Sequence, residues 1–313
     1  MPSMPISGND LARFSGPQTF MRLPEATSAR DIDVGFIGIP MDIGTSWRSG
    51  TRFGPKQLRQ ESAMIRPYNI QTGAAPFDAL ECSDLGDVAI NTFSLSDTIR
   101  IIEDTYDAFL KDDFIPMTLG GDHSLTLPVL RSIAKKHGPV ALVHVDAHAD
   151  VNDEMFGERE THGTVFRRAY EERLITADKV FQIGLRGTGY TADDFNEAAD
   201  WGFNQWIAPD IWHKSLTPLA EEIKSRIGDQ KTYITYDIDS LDPSFAPGTG
   251  TPEIGGLTTP QAMELIRGLR GLNIVGCDLV EVSPPYDPSG NTALVGANLM
   301  FEMLSILPGV PVR

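Results

Sequence analysis

Val145-Asp146-Ala147-His148-Ala149-Asp150 places three hard metal ligands at alternate positions where an apolar run, Val140 to Val145, ends. Alternate residues of an extended chain face the same side. Asp146 and His148 can therefore converge on one point, and Asp150 joins them if the chain curls beyond the strand. Two more clusters follow apolar, β-branched runs in the same way: Gly120-Gly121-Asp122-His123 and Asp237-Ile238-Asp239. The candidate ligands are His123, Asp146, His148, Asp150, Asp237 and Asp239, imidazoles and carboxylates with no thiolate. Such a set suits Mn²⁺, with Ni²⁺, Fe²⁺ or Co²⁺ as rivals, over a structural zinc. Crowded carboxylates repel one another unless a cation joins them. Two divalent ions roughly 3.5–4 Å apart can share carboxylates and lower the pKa of a bridging water towards 7, which is hydrolytic chemistry. His144 shares the parity of Asp146 but lies about 6.6 Å further back along a strand, and it is expected to be packed scaffold.

Holding these clusters together requires strands that end side by side. Short β-branched runs predict eight strands, over Val34 to Ile39, Glu81 to Asp87, Ile115 to Leu119, Val140 to Val145, Lys179 to Leu185, Phe203 to Ile207, Thr232 to Tyr236 and Asn273 to Leu279. Amphipathic stretches fall between them: Ser96 to Leu110, Leu125 to Lys136, Thr191 to Asp200, Leu219 to Ile227 and Thr259 to Leu269. Ser96 and Thr258-Thr259-Pro260 mark helix starts. The alternation implies a three-layer α/β/α sandwich around a mostly parallel, about eight-stranded sheet. A Pro/Ser-rich arm over residues 1–30 precedes a single domain over 31–313. Ligands bind at the carboxyl ends of such strands, where the three clusters sit.

The 313 residues carry a net charge of −17, which disfavours nucleic acid and anionic membrane surfaces. No apolar run is long enough to span a membrane, and the first residues lack the pattern of an export signal. Cys82 and Cys277 have no metal-type spacing and read as buried free thiols in a reducing, cytoplasmic setting.

Gly120-Gly121-Asp122-His123, Asp146-Ala147-His148-Ala149-Asp150 and Asp237-Ile238-Asp239-Ser240-Leu241-Asp242-Pro243 resemble the three metal signatures of the ureohydrolases, the arginase and agmatinase family. Ala246-Pro247-Gly248-Thr249-Gly250-Thr251-Pro252-Glu253 continues the third, and the likeness runs from about Asp33 to the C-terminus. The resemblance implies two Mn²⁺ per subunit, with Ni²⁺ or Co²⁺ possible. One would be held by His123, Asp146, Asp150 and Asp237, the other by His148, Asp146, Asp237 and Asp239. It further implies that His162, in Thr161-His162-Gly163, shuttles protons. Glu281, in Val280-Glu281-Val282-Ser283-Pro284-Pro285, would hold a guanidinium, and Asp150 would assist the proton transfer. The expected reaction releases urea and an amine from a small guanidino compound, in a homo-oligomer, trimer or hexamer.

Arginases also share Ile183-Gly184-Leu185-Arg186, but follow it with an aspartate that meets the substrate α-ammonium. This chain has Gly187 there, so free arginine is disfavoured. Asn152 matches an arginase position that contacts a substrate carboxylate, which points to an ω-guanidino acid. Ser49-Gly50-Thr51-Arg52-Phe53-Gly54-Pro55, Met64-Ile65-Arg66-Pro67-Tyr68-Asn69 and Phe156-Gly157-Glu158 look like the guanidinobutyrase branch. The expected substrate is 4-guanidinobutanoate. Agmatine and 3-guanidinopropanoate are the alternatives within the family, and an alkylated guanidine or biguanide is a third, because Trp47 stands where that branch is expected to have a smaller aliphatic residue. Met155 and Tyr190 are further pocket-wall candidates. A silent subunit of a hetero-oligomer is expected to have lost ligands, and a deacetylase-type amide hydrolase to hold fewer carboxylates; all six ligands stand here.

Overall fold

The computed structural model describes residues 2–191 and 194–313. Its strands are Val34–Gly38 (β1), Cys82–Asp87 (β2), Ile115–Leu119 (β3), Val140–Val145 (β4), Ile175–Leu185 (β5), Asn204–Ile207 (β6), Lys231–Asp237 (β7) and Asn273–Val280 (β8). They form one sheet in the order β2-β1-β3-β8-β7-β4-β5-β6, with parallel pairing throughout. The helices are Gly54–Ser62 (α1), Leu95–Phe109 (α2), Thr126–His137 (α3), Val165–Glu171 (α4), Asn196–Asp200 (α5), Ala208–Ile211 (α6), Thr217–Ile227 (α7), Thr259–Gly268 (α8) and Asn291–Ser305 (α9).

Strand β4 shows why its run is apolar throughout. Ala141, Val143 and Val145 enter one core, with residues of α7, α8 and α9, while Val140 and Leu142 enter the other, with residues of α2, α3 and α4. A strand covered on both faces has no solvent side to mark with polar residues. The three layers follow from this double burial.

Several boundaries differ from the sequence reading. Strand β5 starts at Ile175 because Val140 pairs with Ile175 before the register jumps to Leu142 opposite Val180. Helix α2 is capped by Ser94, whose side chain accepts from the Asp97 N–H, and not by Ser96. Thr258 does cap α8, and Gln261 completes the capping box. Of the helical pattern read from Thr191, α5 covers Asn196–Asp200, and residues 192–193 lie outside the described residues. Helix α9 had no clean periodicity to reveal it. Most of α9 is buried, so it lacks the polar stripe that marks a surface helix. Among the described residues no helix is long and apolar enough to cross a membrane. Cys82 and Cys277 are free and buried, and burial pushes both thiols up.

The end of the N-terminal arm is part of the core. Phe20, Met21 and Leu23 are buried, and Phe20 stacks on Phe36 of β1 with centroids 4.3 Å apart. A buried ion pair ties this segment down. Arg59 of α1 donates to both oxygens of Asp84, at 2.8 and 2.9 Å, and the same carboxylate accepts the Phe20 N–H at 2.7 Å. Removing one partner of a buried pair leaves a charge stranded. Arg59→Ala is therefore expected to destabilise the fold by about 3–5 kcal/mol and to expose the first 24 residues to limited proteolysis. Denaturant unfolding and peptide mapping check both; an intact arm in the variant would refute the anchoring role.

Candidate metal centre

The four central neighbours in the sheet, β3, β8, β7 and β4, each deliver part of one cluster at their carboxyl ends. His123 opens a 3-10 turn after β3, and Asp146 to Asp150 follow β4. Asp237 ends β7, Asp239 lies in the next turn, and Glu281 follows β8. Gly121 makes the approach possible, because a Cβ there would lie 2.0 Å from the Met41 carbonyl oxygen.

His123 Nδ1 faces Asp146 Oδ2 at 3.1 Å, Asp150 Oδ2 at 3.1 Å and Asp237 Oδ2 at 3.3 Å. Nδ1 is buried without a hydrogen-bond partner. Two ligand atoms each about 2.1 Å from an ion and at right angles across it lie about 3.0 Å apart. The spacing and the orphaned nitrogen both fit a divalent cation. A second convergence adjoins the first, with His148 Nδ1 3.2 Å from Asp239 Oδ2 and 3.5 Å from Asp146 Oδ1. Asp146 thus turns one oxygen to each imidazole. Asp237 turns Oδ2 to the first group, while its Oδ1 accepts the Asp239 N–H at 2.8 Å.

Burial lowers the pKa of His123, but the carboxylates of Asp146, Asp150 and Asp237 facing it outweigh this and hold the imidazole well above its usual range. Burial, with Asp239 and Asp146 nearby, pushes Asp237 up. Asp146 is held down despite its own burial, by His123 and His144.

His144 is more than scaffold. Its Nδ1 accepts from the Gln182 amide at 3.0 Å, so the ring proton sits on Nε2, which donates to Asp146 Oδ2 at 2.7 Å. A nitrogen that donates cannot also ligate, and His144 therefore orients the shared carboxylate. Its parity with Asp146 was the available signal.

His162 and Glu281 lie beside the carboxylates. Glu281 Oε1 accepts the His123 N–H at 2.9 Å and sits 3.4 Å from His162 Nδ1, while Oε2 is buried and unpartnered. Burial raises the pKa of Glu281, against the pull of His162. Burial lowers that of His162, but Glu281 overrides it and brings the pKa up to about 9. At the far side of the ring, the Ser46 N–H donates to Nε2 at 3.1 Å, and the Ser46 hydroxyl lies 2.8 Å away. The proton of neutral His162 is thereby placed on Nδ1, facing Glu281. Asp122 secures the loop that carries Ser46 by accepting the Gly44 N–H at 2.9 Å.

A cavity of about 180 Å³ opens over this arrangement, lined among others by Asp150, Asn152, Met155, His162, Tyr190 and Glu253. Asn152 donates to the Gly163 carbonyl at 3.0 Å, and Tyr190 is fully exposed at the rim. Trp47 is not brought in: it is 74% exposed and absent from the lining, its side chain turned to solvent although its neighbour Ser46 faces the cavity.

Comparison with known proteins agrees with this architecture. The model of the arginase family matches residues 32–305. The chain belongs to the arginase family. It is 61% identical over 309 residues to a guanidinobutyrase of Pseudomonas aeruginosa, covering 98% of this chain and 97% of that protein. It is 54% identical to a mitochondrial agmatinase of Gallus gallus, covering 98% and 91%. The solved structure of proclavaminate amidino hydrolase from Streptomyces clavuligerus matches with a TM-score of 0.88 at 39% identity, covering 94% and 99%.

Arg186, noted in the sequence for its motif alone, clamps the third cluster. Its Nη2 donates to the carbonyls of Asp239 at 2.6 Å, Leu241 at 3.1 Å and Glu253 at 2.8 Å. Its Nη1 serves Gly184 and Ser240, both at 3.1 Å, and Nε serves Ile254 at 3.2 Å. An ammonium has three donors and no fork to match this cage. Arg186→Lys is expected to lower stability by about 2–4 kcal/mol and to loosen the Asp239 turn. Unfolding curves together with hydrogen exchange at residues 238–242 check this; unchanged protection there would refute the clamp.

Proposed function

We propose that this ureohydrolase cleaves 4-guanidinobutanoate to urea and 4-aminobutanoate with two Mn²⁺ per subunit. The observation that carries the guanidinium reading is Glu281 Oε2, a buried carboxylate oxygen left without a partner beside the ligand cluster. A guanidinium is planar, and its N–H groups match a carboxylate. His123, Asp146, Asp150 and Asp237 would hold one ion, and His148, Asp239 and Asp146 the other, to which the family resemblance adds Asp237. When bound, such ions polarise the substrate and activate water at neutral pH.

The chain's own residues would do the rest. Glu281 orients the guanidinium so that its central carbon faces the carboxylate cluster. Asp150 accepts a proton as water adds to that carbon. The bond between that carbon and the nitrogen bearing the alkyl chain breaks once this nitrogen is protonated, and His162, whose pKa Glu281 brings up to about 9 so that the ring is protonated at neutral pH, would deliver that proton. Asn152, Met155 and Tyr190 would meet the substrate tail. The 61% identity to a guanidinobutyrase supports the acid. We assign the protein to a homo-oligomer in a cytoplasmic, reducing setting, in keeping with its free buried thiols.

Agmatine is the second reading. Among the described residues lining the cavity, the arginine is Arg186, whose donors already serve carbonyls, while Asp194 and Glu253 add carboxylates. Such a lining suits a cationic tail. Urea release by Mn²⁺-loaded protein from 4-guanidinobutanoate, 3-guanidinopropanoate, agmatine, arginine and a dialkyl biguanide decides between them. Dominant turnover of the first is expected; dominant turnover of agmatine would sink the acid reading.

Loading should also stabilise the fold. An ion at 100 times its Kd contributes about 2.7 kcal/mol per site, or about 4 °C for a chain of this length. Thermal unfolding of chelated and Mn²⁺-supplemented protein checks this. Coincident curves would remove the metal reading.

A further inference from the structure

Proton accounting around His123 leads away from the centre and into the sheet. Its Nδ1 faces three carboxylates and no donor, while its Nε2 lies 2.9 Å from Thr235 Oγ1. If Nδ1 offers its lone pair to a cation, the ring proton must sit on Nε2. Thr235 then receives that proton as an acceptor, and the hydrogen of its own hydroxyl must point elsewhere.

The register of the sheet supplies the destination. Thr235 of β7 stands opposite Asp278 of β8. Asp278 is fully buried between the apolar neighbours Cys277 and Leu279, where an apolar residue would cost less. Its Oδ2 accepts from Thr126 Oγ1 at 2.8 Å and from Tyr233 OH at 2.9 Å. Its Oδ1 has no full hydrogen-bond partner. Burial pushes this carboxyl up, against His123 and the hydroxyls of Thr235, Thr126 and Tyr233, which favour the charged form. An orphaned acceptor therefore stands beside a hydroxyl that must donate.

We infer that Asp278 is a positioning residue for the metal centre: through Thr235 it fixes the proton of His123 on Nε2 and strengthens Nδ1 as a donor to the cation. The inference rests on the metal reading above. Partners of this kind orient a ligating imidazole and raise its basicity, and their loss typically weakens metal binding about 10–100-fold. No corresponding hydroxyl or carboxylate contact to the Nε2 of His148 is seen among the described residues. That ring is one-third exposed, so the effect belongs to one ion of the pair.

Calorimetric Mn²⁺ titration of metal-free wild type, Thr235→Val, Thr235→Ser and Asp278→Asn tests it, with thermal unfolding of each metal-free protein alongside. Valine keeps the shape of threonine and removes the hydroxyl, whereas serine keeps the hydroxyl. Asparagine replaces a carboxylate oxygen with a donor. Thr235→Val and Asp278→Asn are expected to weaken one of the two binding steps about 10–100-fold, leaving the other step unchanged and Thr235→Ser like wild type. The Co²⁺-loaded absorption spectrum should shift in the first two variants and not in the third. Affinities matching wild type in all variants would overturn the inference. So would equal losses on both steps, or a Thr235→Ser loss as large as that of valine. If Asp278→Asn does not fold, the valine and serine pair decides by itself. A wild type that binds no divalent ion would instead overturn the metal reading, and the inference with it.

Discussion

Like charges held at contact distance are the constraint on which the rest of this structure depends. Asp146, Asp150, Asp237 and Asp239 gather on two imidazoles within a few ångströms, and left to themselves they would drive their strand ends apart. The backbone restrains most of them by a shared device. Asp146 Oδ1 accepts the His148 N–H, Asp237 Oδ1 that of Asp239, and Asp239 Oδ1 that of Ala147. Glu281 Oε1 likewise accepts the His123 N–H. One oxygen of each carboxylate is pinned by a main-chain donor, which leaves the other of each aspartate facing an imidazole and that of Glu281 buried without a partner. The parallel sheet matters because it brings these donors to one edge together.

Two of these carboxylates also stand on strained backbone. Asp150 and Glu281 have φ of 52° and 64°, a left-handed conformation uncommon outside glycine. Such strain costs of order 1–3 kcal/mol per residue and persists only where surrounding bonds impose it. The Asp150 carbonyl accepts the Phe166 N–H at 3.0 Å, and the Glu281 N–H donates to Gly121 at 2.9 Å. Each turn reverses the chain just past a strand, so that the side chain comes back over the sheet end. A relaxed extended residue at either position would carry its carboxylate away from the cluster.

That pattern explains what could be read in the sequence. Strand parity brings Asp146 and His148 to one side of the chain, and the curl required of Asp150 is the turn its φ makes. Apolar runs located the sheet because strands buried on both faces are continuous in composition. The unread parts depend on partners remote in the chain. His144 looks like scaffold until Gln182, on the neighbouring strand, settles which nitrogen holds its proton. Arg186 follows an apolar strand with no local hint that carbonyls more than fifty residues away will surround it. Trp47 failed for the opposite reason: adjacency to Ser46 in sequence says nothing about which way a loop side chain turns.

Arg186 also bears on how a protein that cleaves guanidinium groups can keep one of its own beside the cavity. The cage around Arg186 is built of carbonyls. Burial lowers its pKa, and the carboxylates of Asp239, Asp146, Asp242 and Glu253 act on it from further off. Every N–H is saturated and the group is fixed by the fold. Glu281 offers the converse: a buried carboxyl with one oxygen that no resident donor fills. Carbonyls hold a guanidinium by geometry, whereas a desolvated carboxylate without a partner holds one by charge and releases it when the charge leaves. On the proposed reading, product urea is neutral, so a charge interaction with Glu281 would weaken once the bond to the alkyl-bearing nitrogen is broken.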